Sequence, residues 1–174
     1  MDSAEFQLVF PDEGHRQAVE DYKRKSMAEN PHISGSARLG KYDFDTWLQY
    51  CKNLRDGVNL DDEYPPAMQY LAIRKSDGKM VGMIQIRHTL TPYFERFGGH
   101  IGYSVAPDER RKGIATTMME LALKDCRRHG LASVIISARK DNTASIGLVK
   151  KFGGEFIDTV DYEGTMLERH SIKT

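Results

Sequence analysis

Tyr103–Leu123 reads YSVAPDERRKGIATTMMELAL, and the fold turns on how this stretch is divided. With the preceding His100, Ile101 and Gly102 the first residues form a strand, HIGYSVA, which Pro107 stops because it lacks the amide a further ladder bond would need. A polar turn, DERRKG, follows. From Gly113 to Arg128 the apolar residues Ile114, Met118, Leu121 and Ala122 fall on one face of a helix, and His129-Gly130 terminate it. Next comes ASVIISA, residues 132–138, whose consecutive Val134, Ile135 and Ile136 predict a strand buried on both faces. Strand, helix and strand in this order make a β-α-β crossover with a parallel pair.

The turn also carries chemistry. The first amides of a helix have no partner in the helix, and the helix end carries partial positive charge, so a phosphate or pyrophosphate fits there. Gly113 lets the backbone approach an anion, small Ala115 leaves the first turn uncrowded, and Arg110, Arg111 and Lys112 add cations. The alternative is an ordinary connection with solvated basic residues.

Outward from this unit the chain stays mixed α/β. Phe6–Phe10 reads as a strand, and Ala18, Val19 and Tyr22 mark a helix running to about Glu29. A Ser- and Gly-rich loop spans 31–42. Asp43 can cap a helix whose apolar face is Phe44, Trp47, Leu48 and Cys51, and a second irregular stretch, 55–66, carries Asp61, Asp62 and Glu63. QYLAIRKS and KMVGMIQIRH form a hairpin about Asp77-Gly78, a dipeptide suited to the positive φ angles of a tight turn. A loop with Pro92, Gly98 and Gly99 leads to the central strand. A short helix over about 143–152 and a hairpin, EFIDTVDY and TMLERHSI about Glu163-Gly164, complete the chain.

Composition narrows the function. At 174 residues the chain has the size of one domain able to bury roughly two-thirds of its unfolded surface. Twenty-five basic residues balance twenty-five acidic ones, so the field of a nucleic-acid binder is missing. No stretch approaches the length of apolar residues needed to span a bilayer, and MDSAEFQLVF has acids where a secretory signal carries positive charge. Cys51 and Cys126 then read as reduced thiols of a cytoplasmic protein. The six histidines show no H-x-x-x-H spacing and no C-x-x-C occurs, so no metal is expected. Gly102-Tyr103-Ser104-Val105-Ala106 imitates a hydrolase nucleophile elbow, but Pro107 and the polar turn stand where the helix should begin. Cys126 and His129, one helical turn apart, read as a small core residue and a helix terminator rather than a catalytic pair.

The quoted stretch resembles the acetyl-CoA signature of the GNAT superfamily of N-acetyltransferases: Arg or Gln, two variable residues, Gly, one variable residue and Gly or Ala. Arg110, Gly113 and Ala115 fill those places, and Asn142 and Ser145 in DNTASIGLVKKFGG match the superfamily's following helix. The resemblance is close from Gln69 to the C-terminus and extends to the first 65 residues only in helical pattern. More narrowly, GGHIGYSVAPDERRKG and the preceding RH-x-L are similar to a bacterial branch of acetyltransferases without an assigned substrate.

The resemblance implies a single acetyltransferase domain over 1–174, with 1–66 on the substrate side and 67–174 as the cofactor-binding core. It implies an α/β (α+β) fold, a mostly antiparallel sheet of six to seven strands with a parallel splayed pair and about four helices. Acetyl-CoA is the implied co-substrate, held by Val105, Arg110, Arg111, Lys112, Gly113, Ile114, Ala115, Thr116, Asn142 and Ser145, and acetyl passes directly to an amine. His100 stands where relatives carry a Glu as base, and imidazole titrates near neutrality. The alternative for His100 is a hydrogen bond to a neighbouring strand, and Glu95 is the second candidate base. Where relatives carry a Tyr that protonates the leaving thiolate, this sequence has Val149; Tyr103, Tyr162 or water would replace it. Zero net charge argues against very basic macromolecular substrates, so the expected acceptor is a small primary amine, with a protein or peptide amine as runner-up and a non-catalytic acyl-CoA sensor as the rival class. Asp61, Asp62 and Glu63 would hold a second ammonium or form a solvated loop. The resemblance also implies a homodimer.

Overall fold

The computed structural model describes residues 1, 3 and 5–174. Seven strands and four α-helices follow the order β1 (Phe6–Val9), α1 (Arg16–Glu29), α2 (Phe44–Asp56), β2 (Met68–Arg74), β3 (Met80–Ile86), β4 (Ile101–Val105), α3 (Ile114–Arg128), β5 (Ser133–Arg139), α4 (Thr143–Lys151), β6 (Glu155–Tyr162) and β7 (Thr165–Lys173). The expected helices and strands are therefore present. The strands divide into a four-stranded sheet, β1-β2-β3-β4, and a three-stranded sheet, β5-β7-β6.

Every ladder within these sheets is antiparallel. The expected parallel pair of β4 and β5 is thus no ladder. The two strands meet at the bridge Gly99–Ile136 and a 2.7 Å bond from the His100 N–H to the Ile135 carbonyl, and then leave a cleft between them. The strand buried at every position is β3, not β5. Alternate side chains of the first sheet enter two cores. Ala72 and Ile84 pack with α3, whereas Leu71 and Met83 pack with α1 and α2. The second sheet has helices on one side, so β5 buries Val134, Ile136 and Ala138 and leaves Ile135 and Ser137 partly open.

Two turns differ in detail. The β2–β3 loop runs from Arg74 to Lys79, with Gly78 alone of the expected pair at positive φ, because the Arg74 N–H bonds the Lys79 carbonyl. The segment before β4, expected as loop, contains a π-helical turn over Phe94–Gly98.

The long 31–42 segment is fixed by specific bonds. The Trp47 indole N–H donates to the Ser36 carbonyl at 2.7 Å, the Ser36 hydroxyl donates to the Ile33 carbonyl at 2.7 Å, and the Gln69 amide donates to the Gly35 carbonyl at 3.0 Å. Trp47 is completely buried, so this bond also satisfies its only polar group. Gly35 packs directly on Gly102 of β4. A Cβ at Gly35 would collide with the Gly102 carbonyl, which is why only glycine lets the loop cross the strand here. Cys51 and Cys126 are buried free thiols, and no helix among the described residues is long and apolar enough to cross a membrane.

Candidate active site

The cleft between β4 and β5 has a volume of about 1040 Å³ and is floored by the N-terminus of α3. Register determines what β4 offers it. The Arg87 N–H bonds the His100 carbonyl and the Ala106 N–H bonds the Val81 carbonyl, so even-numbered residues of β4 spend their backbone groups on β3. The alternation of an antiparallel ladder turns the amides of Tyr103 and Val105 toward the other edge, where β5 has splayed away.

At the cleft floor, Gly113 precedes α3 with φ +82 and supplies no side-chain cap. A Cβ built there meets no protein atom within 4 Å. Ile114, Ala115 and Thr116 form the first turn, and all three border the cleft. Their amides lie at the positive end of a 15-residue helix, a built-in complement to an anion.

The three basic residues of the turn have different fates. Arg111 borders the cleft at φ +61 and makes no ion pair among the described residues. Arg110 also borders it and reaches Glu29 at the end of α1, 2.6 Å away. Lys112 turns out of the cleft; its ammonium lies 3.1 Å from the Asp108 carbonyl and 3.0 Å from Glu109.

Glu109 was hidden in the sequence as one residue of a polar turn, yet only 3% of its surface is exposed. Arg74 at 2.8 Å, Lys79 at 2.6 Å and Lys112 at 3.0 Å surround its carboxylate. The bonds from Lys79 and Lys112 lead in holding its pKa down to about 2, against the opposing effect of burial. Neighbouring Asp108 is likewise held to about 2, chiefly by Lys79. These two acids fasten the turn to the β2–β3 loop and thereby set the path of 110–113.

Across the cleft, Asn142 is the N-cap of α4, its Oδ1 accepting from the Ser145 N–H at 3.1 Å. The amide nitrogen of Asn142 remains as a donor beside the cleft. Ser145 Oγ lies 2.9 Å from the Tyr103 hydroxyl, a contact that joins β4 to α4 across the gap. Burial raises the Tyr103 pKa and keeps the phenol protonated at neutral pH. Tyr162 borders the cleft and accepts from the Tyr93 hydroxyl at 2.9 Å. Val149 is buried in the core beneath α4, so a side chain at that position points away from the cleft.

His100 and Glu95 do not border the cleft. His100 Nδ1 accepts the Ile135 N–H at 2.9 Å, and burial leads in lowering its pKa. An imidazole accepting at Nδ1 carries its proton on Nε2, leaving no free lone pair. This is the hydrogen bond to a neighbouring strand that the sequence left open as its second role. Glu95 sits in the π-helical turn and holds Arg169 through its carbonyl oxygen at 3.0 Å. The histidine that does border the cleft is His32, in the pinned 31–42 segment. Asp61, Asp62 and Glu63 are exposed and outside the cleft, and Asp61 is paired with Arg38 at 3.0 Å.

No curated protein matches the chain. Among solved structures it is similar to a GnaT-family acetyltransferase assignment from Bordetella pertussis, with TM-score 0.74, 15% identity, and coverage of 99% of this chain and 98% of that one. A ribosomal L7/L12 alpha-N-protein acetyltransferase in complex with coenzyme A gives TM-score 0.74 at 18% identity, covering 98% and 95%. A spermidine N-acetyltransferase chimera from Vibrio cholerae and hSSAT gives 0.68 at 13% identity, covering 98% and 96%. These likenesses establish a shared fold. The model of the acetyltransferase (GNAT) family matches residues 35–154, a span that includes β4, the turn before α3, α3 and α4, and the chain belongs to that family of acyltransferases.

Proposed function

We propose that the chain transfers the acetyl group of acetyl-CoA directly to the primary amine of a small molecule. The observation that carries this reading is the cleft between splayed β4 and β5 with the uncapped N-terminus of α3 at its floor. The residues present fit the co-substrate. The open space at Gly113 suits a pyrophosphate approaching the amides of Ile114, Ala115 and Thr116, with Arg110 and Arg111 adding charge. Asn142 and Ser145 border the path of a pantetheine arm, and the Val105 N–H is directed to the edge where a thioester carbonyl would be polarised. The coenzyme A complex of a protein with the same fold supports this use.

Acetyl-CoA supplies an activated thioester; the chain's own task is orientation and proton management. In this reading the amine nitrogen forms the new bond to carbon as the carbon–sulfur bond breaks. The proton lost by the amine goes to the His32 imidazole or to water, and the Tyr103 phenol donates to the departing thiolate. His100 is assigned a positioning role, holding β4 against β5 where the splay begins. Lys112 is assigned to shaping the turn through Glu109 rather than to the phosphate.

The small-amine choice is supported by the 31–42 segment, which lies on β4 backbone to backbone and gives the acceptor side a fixed wall. The pairing of Asp61 with Arg38 weakens the case for a polyammonium acceptor. A protein or peptide amine is the second reading, favoured by the similarity to the ribosomal-protein acetyltransferase. Homodimer formation is proposed through β6, an edge strand on which Phe156 is 60% exposed. A thiol-release screen with acetyl-CoA across amino acids, polyamines, aminoglycosides and short peptides tests the function. Turnover with small amines is expected. Acetylation of peptides only replaces the substrate class, and no turnover with any amine supports the acyl-CoA sensor instead.

A further inference from the structure

The far end of α3 gathers three side chains that the acetyl-transfer site does not use. His88 follows β3, while Asp125 and His129 occupy the last turn and C-cap of the helix. His88 Nε2 lies 2.8 Å from Asp125 Oδ2, and His129 Nδ1 lies 3.7 Å from the same oxygen. One ligand atom from each residue falls within 4.8 Å of the others. The two imidazoles stack at 3.8 Å with 17° between their planes. Counted along the helix, this cluster is about 18 Å from Gly113, and none of its residues borders the cleft.

The setting of Asp125 calls for positive charge. It is 9% exposed and stands at the negative end of the helix dipole, where a carboxylate is least welcome. The groups gathered on it are two imidazoles. Four ligands arranged tetrahedrally about zinc at roughly 2.0–2.2 Å stand about 3.3 Å apart, a spacing bracketed by the 2.8 and 3.7 Å distances here. Because an imidazole lone pair lies in the ring plane, the two stacked rings turn out of parallel to meet one ion. His129 Nδ1 donates to the Asp125 carbonyl oxygen at 2.9 Å, so ligation through this nitrogen displaces that proton and gives up that bond.

We propose that His88, Asp125 and His129 form a binding site for a borderline divalent transition metal, zinc being the ion its chemistry fits best. Two nitrogen donors and one carboxylate favour zinc over magnesium or calcium, which prefer oxygen cages. The exposed side of His129 leaves the fourth position to water. The ion joins the end of β3 to the end of α3 and stabilises the fold far from the acetyl-transfer cleft.

The test uses the full untagged chain, titrated with zinc chloride in a buffer that does not chelate the metal. One ion per chain is expected, with at least tenfold weaker binding in His129→Gln and in Asp125→Asn, and no comparable binding of magnesium. Thermal unfolding should move upward with zinc in the parent and stay fixed in His129→Gln, whose exposed side chain makes misfolding a minor concern. Cobalt(II) should give visible d–d bands that the same substitution removes. Equal zinc affinity in parent and His129→Gln, or no stoichiometric binding by the parent, overturns the proposal.

Discussion

Replacing Gly113 by alanine separates backbone strain from loss of an anion site, because α3 carries a matched control at its other end. Gly113 has φ +82 and Gly130 has φ +81, and a Cβ at either meets no protein atom within 4 Å. Holding an L-residue in this conformation costs roughly 1–2 kcal/mol, so each variant should lose similar stability. For a chain of this size that is a fall in melting temperature of about 2–8 °C. Coenzyme A binding should distinguish them. At position 113 the methyl group enters space assigned to the pyrophosphate and disturbs one or more charge-assisted amide bonds, each worth about 1.5–3 kcal/mol. With about 1.4 kcal/mol per factor of ten, Gly113→Ala should bind coenzyme A about ten- to a hundredfold more weakly. Gly130→Ala should bind it as the parent does. Titration calorimetry on all three proteins, with thermal melts in parallel, provides the comparison. Equal affinities, or an equal loss in both variants, would refute the assignment of the turn.

Tyr103→Phe removes the phenol that meets Ser145 and should lower kcat on the order of ten- to a hundredfold with little change in KM for acetyl-CoA; steady-state kinetics showing an unchanged kcat would return the phenol to a structural role. Glu109→Gln should weaken coenzyme A binding, since three cations lose the charge that fastens the turn, and its affinity in calorimetry is the check. The Glu109 pKa falls from 4.5 to about 2 on folding, so its contribution is complete above pH 4.5 and is lost as pH drops toward 2. Acid titrations of stability should therefore be flatter in Glu109→Gln. His100 has a lowered pKa in the fold, so its contribution is complete above its ordinary value of 6.5 and shrinks as acidification proceeds through the folded value. Melting temperatures measured from pH 8 to pH 5 should decline less in His100→Gln, which can still accept the Ile135 amide; an identical decline in parent and variant excludes this role.

The parts legible in the sequence were those governed by local rules. Asp43 caps α2 through a 2.8 Å bond from the Thr46 N–H, as its place before the Phe44, Trp47, Leu48 and Cys51 stripe predicts. Gly113 and Ala115 fell at the first turn of α3 because strand, Pro stop and apolar periodicity fixed the register there. What stayed hidden depended on distant segments. Glu109 is buried only because Arg74 and Lys79, some thirty positions earlier, fold over it. The Val134-Ile135-Ile136 run signalled a strand correctly, but the burial of its second face is decided by which helices arrive. They arrive at β3 instead. The grouping of His88 with Asp125 and His129 stayed hidden because His88 lies beyond the end of β3, distant in sequence from the end of α3 that it meets in the fold.

Hydrogen–deuterium exchange of the chain with and without coenzyme A tests the central claim most directly, because the claim names the amides involved. Residues 114–116 lie in the first turn of α3, where no carbonyl of the helix covers them, and the Tyr103 and Val105 amides face the splayed edge of β4. Added coenzyme A should slow exchange in peptides covering 103–116 and 142–145. Peptides from the C-terminal half of α2 and the far end of α3, neither of which borders the cleft, should be unchanged. Saturating coenzyme A that leaves 103–116 unprotected, or protects a different surface, would contradict the account.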